Sequence, residues 1–358
     1  MTGAASGDVW PISLPEVLDA AHRLRPYLPP TPLRHYAPLD AAVGQNICVL
    51  VKHEDCQPTN SFKARNNLSV MTALPVEERR RGVVAATRGN HGAGLAWAGR
   101  LLSSPVTICV PRGNNPEKNE AMRGLGAELI EEGDDYDAAV AVAHRLEHER
   151  GLRMVHSTND PQVVAGAGTL TLEMLDPTGA RSRAIDARWG EAHPAVPGEG
   201  GREGPPLIDA LVIAVGGGSQ AVGALVVARA LRPGLPVYAV QAANASAIHD
   251  SFHAGRPLSK PSADTFADGL ATRNTYPLTF GALSAGLAGF VAVSEAELAE
   301  AVRLYLRTTH HLAEGAGAAG LAGLMRLRDQ LAGKRVGVVL SGSNIDAETL
   351  RRIVNHEL

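Results

Sequence analysis

One lysine stands in a stretch whose residue types could make it a nucleophile. Lys63 follows Ser61 and Phe62, behind a polar turn that begins at Glu54, and a helical run starts just after it. A lysine amine that is desolvated beside an aromatic ring loses its proton more readily and becomes nucleophilic. The plain alternative is a solvated surface lysine that begins a helix, since most lysines are exposed. The rest of the chain has to decide between these two interpretations.

Two glycine-rich loops could each bind an anion. Residues 87–92 read Thr-Arg-Gly-Asn-His-Gly and residues 215–223 read Val-Gly-Gly-Gly-Ser-Gln-Ala-Val-Gly, each between an expected strand and an expected helix. The backbone N–H groups at a helix N-terminus are unpaired and its dipole is positive, so such a loop can hold a carboxylate or a phosphate. The second loop lacks the lysine of a nucleotide P-loop and does not match GxGxxG. A tight turn without a ligand remains the alternative for both loops.

A serine follows the last apolar run of the chain. Residues 341–344 read Ser-Gly-Ser-Asn directly after the expected strand 336–340. Ligands of open parallel sheets bind beyond the carboxyl ends of the strands, where a hydroxyl can hydrogen-bond a ring nitrogen. One lysine, two anion sites and a serine at a strand end together suit a phosphorylated aldehyde held as a Schiff base. The cofactor with this chemistry is pyridoxal 5′-phosphate.

The order of these motifs resembles that of the fold-type II pyridoxal-phosphate enzymes, most closely the threonine dehydratase and serine racemase branch. The motifs are Ser-Phe-Lys at 61–63, Gly-Asn-His-Gly at 89–92, the glycine loop at 216–219 and Ser-Gly-Ser-Asn at 341–344. Supporting stretches lie at 155–169, 267–270 and 314–317. The likeness therefore covers nearly the whole chain.

The resemblance implies a role for each motif residue. Lys63 would hold the cofactor as a Schiff base and act as the catalytic residue. Phe62 would pack against the cofactor ring, Asn90 would hydrogen-bond its 3-hydroxyl, and Ser341 would face its pyridine nitrogen. The phosphate would be cradled by Gly216, Gly217, Gly218 and Ser219. The substrate carboxylate would be held by Ser61, Thr87, Arg88, Gly89 and His91.

The resemblance also implies a reaction, the β-elimination of L-threonine, L-serine or a related 3-hydroxy amino acid to a 2-oxo acid and ammonia. Alternatives of the same fold are a threonine synthase, a β-replacing synthase and an amino-acid racemase. Arg88 stands where a racemase would have a serine, and arginine cannot exchange a proton at neutral pH, so racemisation is not expected to be the main activity. Arg88 would either add charge near the substrate or point to solvent. A non-enzymatic binding protein is a further alternative, against which Lys63 counts.

The elements that must position these residues alternate between strands and helices, which predicts an α/β protein with parallel sheets. Strands are expected at 47–52, 83–87, 106–110, 127–131, 209–215, 237–241, 290–293 and 336–340. Helices are expected at 14–24, 65–74, 93–102, 116–125, 136–149, 166–175, 221–231, 295–308 and 316–328. The resemblance implies a two-lobed, tryptophan synthase β-like fold, with a large cofactor domain (1–81 and 160–358) and a small mobile domain (82–159) inserted in it. Residues 176–206 have no apolar period and predict a long exposed loop.

Composition excludes several classes of function. A formal net charge of −3, with no basic block, gives no support for nucleic-acid binding. No apolar run approaches the length of a membrane helix, and residues 1–10 do not read as a signal peptide. Three cysteines without a CxxC pair fit a reducing cytoplasm and no structural metal cluster. Relatives with a divalent metal carry carboxylates where residues 241–247 have none, so no metal is expected. The resemblance also implies a homodimer. Its partner molecule would be a small amino-acid substrate.

Overall fold

The protein is built on two sheets, which the computed structural model shows for residues 9–179 and 208–358. The larger sheet contains β1 (Leu33–His35), β2 (Cys48–His53), β7 (Ala210–Ala214), β8 (Val237–Ala242), β9 (Gly289–Val293) and β10 (Arg335–Leu340), in the order β1-β2-β10-β7-β8-β9. The smaller sheet contains β3 (Val83–Ala86), β4 (Val106–Val110), β5 (Glu128–Glu131) and β6 (Arg153–Met154), in the order β5-β4-β3-β6. Every pairing is parallel except that of β1 with β2.

Helices connect these strands, as parallel pairing requires. Those before β7 are α1 (Leu14–Leu24), α2 (Ala37–Val43), α3 (Lys63–Ala73), α4 (Val76–Arg81), α5 (Asn90–Leu101), α6 (Pro116–Gly124), α7 (Tyr136–Arg150) and α8 (Pro161–Leu175). Those after β7 are α9 (Ser219–Leu231), α10 (Ala247–Ala254), α11 (Pro277–Gly286), α12 (Glu295–Thr309), α13 (Gly315–Leu327) and α14 (Ala347–Val354). All five residues of β7 are buried, which is why this strand reads as a continuous apolar run.

A buried group of charges fixes the helix that carries Lys63. Arg65, in the first turn of α3, donates to both oxygens of Glu54 at 2.8 and 3.0 Å and to both of Glu173 at 2.6 and 2.9 Å. Lys52 donates to the same Glu173 carboxylate. Burial alone would raise the pKa of Glu173, but the positive charges of Arg65 and Lys52 outweigh it and lower that pKa. Since Glu54 follows β2 and Glu173 lies in α8, this network ties α3 to both elements.

The α/β parallel-sheet fold predicted from the sequence is confirmed. All four strands of the smaller sheet lie within residues 82–159, while the domain boundaries and the mobility of that segment stay predictions. The exposed loop predicted at 176–206 lies, from residue 180 onwards, outside the described residues. In the described ranges no helix has both the length and the apolar character that crossing a bilayer demands.

Candidate active site

A cavity of about 160 Å³ lies between the two sheets and collects residues from distant parts of the chain. Its wall includes all the predicted site residues except Ser61: Phe62, Lys63, Thr87, Arg88, Gly89, Asn90, His91, Gly216, Gly217, Gly218, Ser219 and Ser341. They follow the carboxyl ends of β2, β3, β7 and β10, which is where ligands of open parallel sheets bind. Ser61 is fully buried behind this wall, and its Oγ accepts a hydrogen bond from the Lys63 amide at 3.3 Å.

Lys63 is the first residue of α3, and its side chain faces the cavity. Its Nζ donates to the carbonyl oxygen of Ser157 at 3.2 Å and lies 4.9 Å from the centre of the Phe62 ring. Because a desolvated ammonium is destabilised, burial lowers the pKa of Lys63 to about 8. The amine is therefore much more often neutral near physiological pH than an ordinary lysine.

The glycine loop at 216–218 leaves no room for side chains. A Cβ on Gly216 would lie 2.1 Å from the carbonyl oxygen of Gly269, and a Cβ on Gly217 would lie 2.0 Å from Oγ1 of Thr158. Gly218 has a φ of +100° and caps the N-terminus of α9, a helix of 13 residues. The backbone N–H groups of the first helical turn have no partner within the helix. The loop therefore presents backbone donors to the cavity, as a phosphate cradle requires.

Asn90 belongs to a chain of side-chain hydrogen bonds on the cavity wall. Its Nδ2 donates to Oε1 of Glu314 at 2.6 Å, and its Oδ1 accepts from Nδ2 of Asn344 at 2.8 Å. Burial raises the pKa of Glu314 to about 7, although Lys118 and Asn90 act in the opposite direction. Asn90 is held at both ends of its amide and keeps one N–H for a ligand.

In the loop before α5 and in the first turn of that helix, some backbone N–H groups are already hydrogen-bonded to Thr87 and others are free. The Thr87 Oγ1 accepts from the amides of Gly89 at 3.0 Å and Gly92 at 3.4 Å. The amides of Asn90 and His91 lie in the first turn of α5, where no preceding helical carbonyl can accept them. His91 is buried and its Nε2 lies 3.0 Å from the carbonyl oxygen of Val155, while burial lowers its pKa to about 3. His91 is thus a neutral, fixed residue beside a site for a carboxylate.

Ser341 directly follows β10 and lies next to the loop that carries Lys63. Its carbonyl oxygen accepts from the amide of Phe62 at 3.0 Å, and Ser61 pairs with Gly342. The Ser341 hydroxyl is buried and makes one long contact of 3.4 Å with the carbonyl oxygen of Ala316. A ligand with an acceptor nitrogen could therefore take this hydrogen bond at little cost.

Sequence reasoning gave no role to several residues that line the cavity. They are Lys118, Tyr136, Ser157, Thr158, Gln220, Asp268, Tyr276 and Glu314. Lys118 of α6 forms an ion pair with Asp268, so it joins the smaller sheet's helices to the larger part of the chain across the cavity. The stretches that carried the family resemblance include Ser157, Thr158, Asp268 and Glu314, and the second glycine-rich loop includes Gln220, so a signal was available for these five. The others have no local signal, because only the tertiary fold brings them to the site.

Comparisons with known proteins are consistent with this geometry. A family model described as "Pyridoxal-phosphate dependent enzyme" matches residues 24–342. The chain is 34% identical over 347 residues to the L-threonine ammonia-lyase of Thermotoga maritima, covering 97% of this chain and 79% of the relative. It is 31% identical to the L-threo-3-hydroxyaspartate ammonia-lyase of Pseudomonas sp., covering 93% of this chain and 95% of the relative. The solved structure of a threonine deaminase from T.th. is similar with a TM-score of 0.80 and 32% identity, covering 94% of this chain and 99% of that one.

Proposed function

Because the chain belongs to the family of pyridoxal-phosphate dependent enzymes, we propose that it is an ammonia-lyase that converts L-threonine, L-serine or a related 3-hydroxy amino acid to a 2-oxo acid and ammonia. Its cofactor is pyridoxal 5′-phosphate. The observation that carries the proposal is the meeting of the Lys63 amine, a glycine cradle and a strand-end serine in one cavity. The ammonia-lyase names of its relatives at 31 and 34% identity supply the reaction class.

The residues present suit the cofactor. The glycine cradle at 216–218, which a Cβ would fill, would hold the phosphate together with Ser219. Lys63 would hold the aldehyde carbon, Phe62 would pack on the ring, and the free N–H of Asn90 would reach the 3-oxygen. Ser341 would face the pyridine nitrogen. When bound, pyridoxal phosphate withdraws electrons from the substrate's Cα and so makes the α-proton acidic.

For the reaction, the protein then has to supply a base for the α-proton, a site for the α-carboxylate and a neutral partner for the ring nitrogen. Once displaced from the cofactor, the Lys63 amine would accept the α-proton, since a pKa of about 8 leaves it partly neutral near pH 7. The free amides of Asn90 and His91 at the positive end of α5 would hold the α-carboxylate. Ser341 is a neutral partner and would not protonate the ring fully. Charge would therefore not accumulate at Cα, and prompt loss of the β-hydroxyl would be favoured.

We further propose that the enzyme is a cytoplasmic homodimer and that residues 82–159 form a small domain that moves over the substrate. The resemblance supports the dimer, and the cysteine usage supports the compartment. The ion pair of Lys118 with Asp268 spans the cavity, and Arg273 pairs with Asp135 and Asp137 of the segment 82–159; these ion pairs would lock a closed form. Light scattering would measure the mass in solution. Limited proteolysis with and without a substrate analogue should give different patterns, and identical patterns would argue against the movement.

The proposed reaction is tested by measuring 2-oxo acid release from a panel of L- and D-3-hydroxy amino acids. L-Threonine or L-serine should be consumed, and the activity should disappear in Lys63→Ala. Release of inorganic phosphate from a phosphorylated substrate would instead identify a threonine synthase. A protein that binds the cofactor yet releases no 2-oxo acid from any member of the panel would overturn the proposal.

A further inference from the structure

A second, outer chamber adjoins the active-site cavity and shares part of its wall. It measures about 290 Å³, and the residues common to both spaces are Arg88, Tyr136, Ala271, Thr272 and Tyr276. These five residues form the neck between the chambers. A substrate held in the inner cavity would extend its side chain toward this neck. The chemical groups at the neck therefore influence which substrate side chain the enzyme accepts.

The guanidinium of Arg88 has no partner at this neck. Arg88 is exposed and makes no hydrogen bond or ion pair with any residue within 9–179 or 208–358. The other cations of the two chambers are engaged: Lys63 donates to the carbonyl oxygen of Ser157 and would hold the cofactor, Lys118 pairs with Asp268, and Arg273 of the outer chamber pairs with Asp135 and Asp137. Among the cations that line these two chambers, Arg88 is thus the one available to a substrate side chain.

The groups around Arg88 are mostly hydrogen-bond donors. The phenols of Tyr136 and Tyr276 stay protonated, because burial raises the pKa of Tyr136 to about 12 and also raises that of Tyr276. Thr272 lies 3.4 Å from the Tyr276 hydroxyl and shares the neck. Carboxylates do face the outer chamber, but Asp135 and Asp137 are bound to Arg273, and Asp264 makes no ion pair with Arg88. A guanidinium among hydroxyls is suited to a ligand that carries an acceptor and a negative charge.

We propose that Arg88 binds a second carboxylate on the substrate side chain, so that the preferred substrate is a 3-hydroxy dicarboxylic amino acid, 3-hydroxyaspartate. This inference rests on the proposed ammonia-lyase reaction and names its substrate class. The Cα–H and Cβ–O bonds break and water leaves. Hydrolysis of the resulting enamine then consumes a water molecule, which balances the one that left. The products are oxaloacetate and ammonia, and no oxidant or reductant is needed.

The α-carboxylate does not need Arg88. The amides of Asn90 and His91 already offer a site for it at the N-terminus of α5, a helix of 12 residues. Arg88 instead precedes that turn and lines the neck that leads away from it. One substrate with two carboxylates would satisfy both sites at once. A monocarboxylic substrate such as L-threonine would leave the guanidinium unpaired.

The test compares two pairs of compounds in the holoenzyme. For turnover, kcat/KM is measured for L-threo-3-hydroxyaspartate and for L-threonine. For binding without elimination, the absorbance change of the bound cofactor gives Kd values for L-aspartate and L-2-aminobutyrate, which lack the hydroxyl. Wild-type protein should prefer the dicarboxylic member of each pair. Arg88→Gln should lower each preference by about 30-fold or more, because the site loses a charged partner of the second carboxylate.

Arg273→Gln is the matched control, since it removes an arginine of the same outer chamber that is already paired with carboxylates. It should change neither preference by more than about threefold. Equal loss of both members of a pair in Arg88→Gln would assign Arg88 to the α-carboxylate and overturn the inference. Values that stay as in the wild type for both members of a pair would overturn it as well. If the wild-type enzyme consumes L-threonine but not 3-hydroxyaspartate, only this inference fails, whereas turnover of neither overturns the proposed reaction itself.

Discussion

The lowered pKa of Lys63 predicts how fast the apoprotein captures its cofactor at each pH. Only the neutral amine attacks an aldehyde, and burial shifts its pKa from 10.5 to about 8. At pH 7 about one Lys63 amine in ten would be neutral, against about one in 3,000 for an ordinary lysine, an advantage of about 300-fold. The rate of covalent capture should therefore rise about tenfold per pH unit below pH 7 and become level above pH 8 to 9.

The assay mixes apoprotein with pyridoxal phosphate between pH 6 and pH 10 and follows the absorbance of the bound cofactor. Borohydride reduction and peptide mass spectrometry then identify the modified lysine. N-Acetyl-lysine amide serves as the reference, and its rate should keep rising toward pH 10. Lys63→Arg should give no covalent capture at any pH. A capture rate that keeps rising tenfold per unit up to pH 10 would show that Lys63 has an ordinary pKa, and the reasoning from desolvation would be wrong.

Two further predictions concern the parts that support this lysine. Arg65→Met should lower the free energy of unfolding by about 3–5 kcal/mol, because it leaves the buried carboxylates of Glu54 and Glu173 with Lys52 alone. The exposed pair of Arg80 with Glu77 gives the control, since Arg80→Met should lower the free energy of unfolding by less than about 1 kcal/mol. Urea unfolding measures both variants, and equal losses of stability would refute the role of burial. Gly217→Ala should weaken the binding of pyridoxal phosphate at least tenfold, as its Cβ would lie 2.0 Å from Oγ1 of Thr158. Gly124→Ala, with open space around the added methyl group, should bind like wild type in the same titration.

The sequence predicted the elements that carry a buried apolar pattern. Helix α1 occurs as predicted at Leu14–Leu24, and the strand expected at 106–110 is β4. Two of the missed elements, α4 and β1, lack that signal. None of the residues of α4 is buried, and β1 is a three-residue edge strand without a fully buried side chain. Such elements are stabilised by their neighbours in the fold, so a local pattern does not reveal them.

Helices beside the glycine loops begin earlier than predicted. The sequence placed their starts at Ala93 and Ala221, but α5 begins at Asn90 and α9 at Ser219. Glycines at the start of a helix read as turn residues, although here they let the first helical turn reach the cavity. This shift matters for function, because it places the amides of Asn90, His91 and Ser219 in first turns that have free donors.

The hydrogen bonds between side chains of the site could not be predicted from one sequence. Glu314 meets Asn90 across 224 positions of the chain, and Asn344 meets it across 254. Spacing along the chain contains no information about such contacts until the sheets are assembled. By contrast, the site residues predicted from the motifs, apart from Ser61, all line the cavity, since they lie in the loops that follow the carboxyl ends of parallel strands.

The strand order of the larger sheet has a consequence for how the chain folds while the ribosome makes it. β10, the last of the described strands in chain order, lies in the middle of the sheet between β2 and β7. The smaller sheet is contiguous in sequence and complete by residue 154, so it can form during synthesis. The larger sheet stays in two parts until residue 340 has emerged. Lys63 consequently gains its neighbour Ser341, and the cofactor gains its complete site, only after β10 has been synthesised and has joined the sheet.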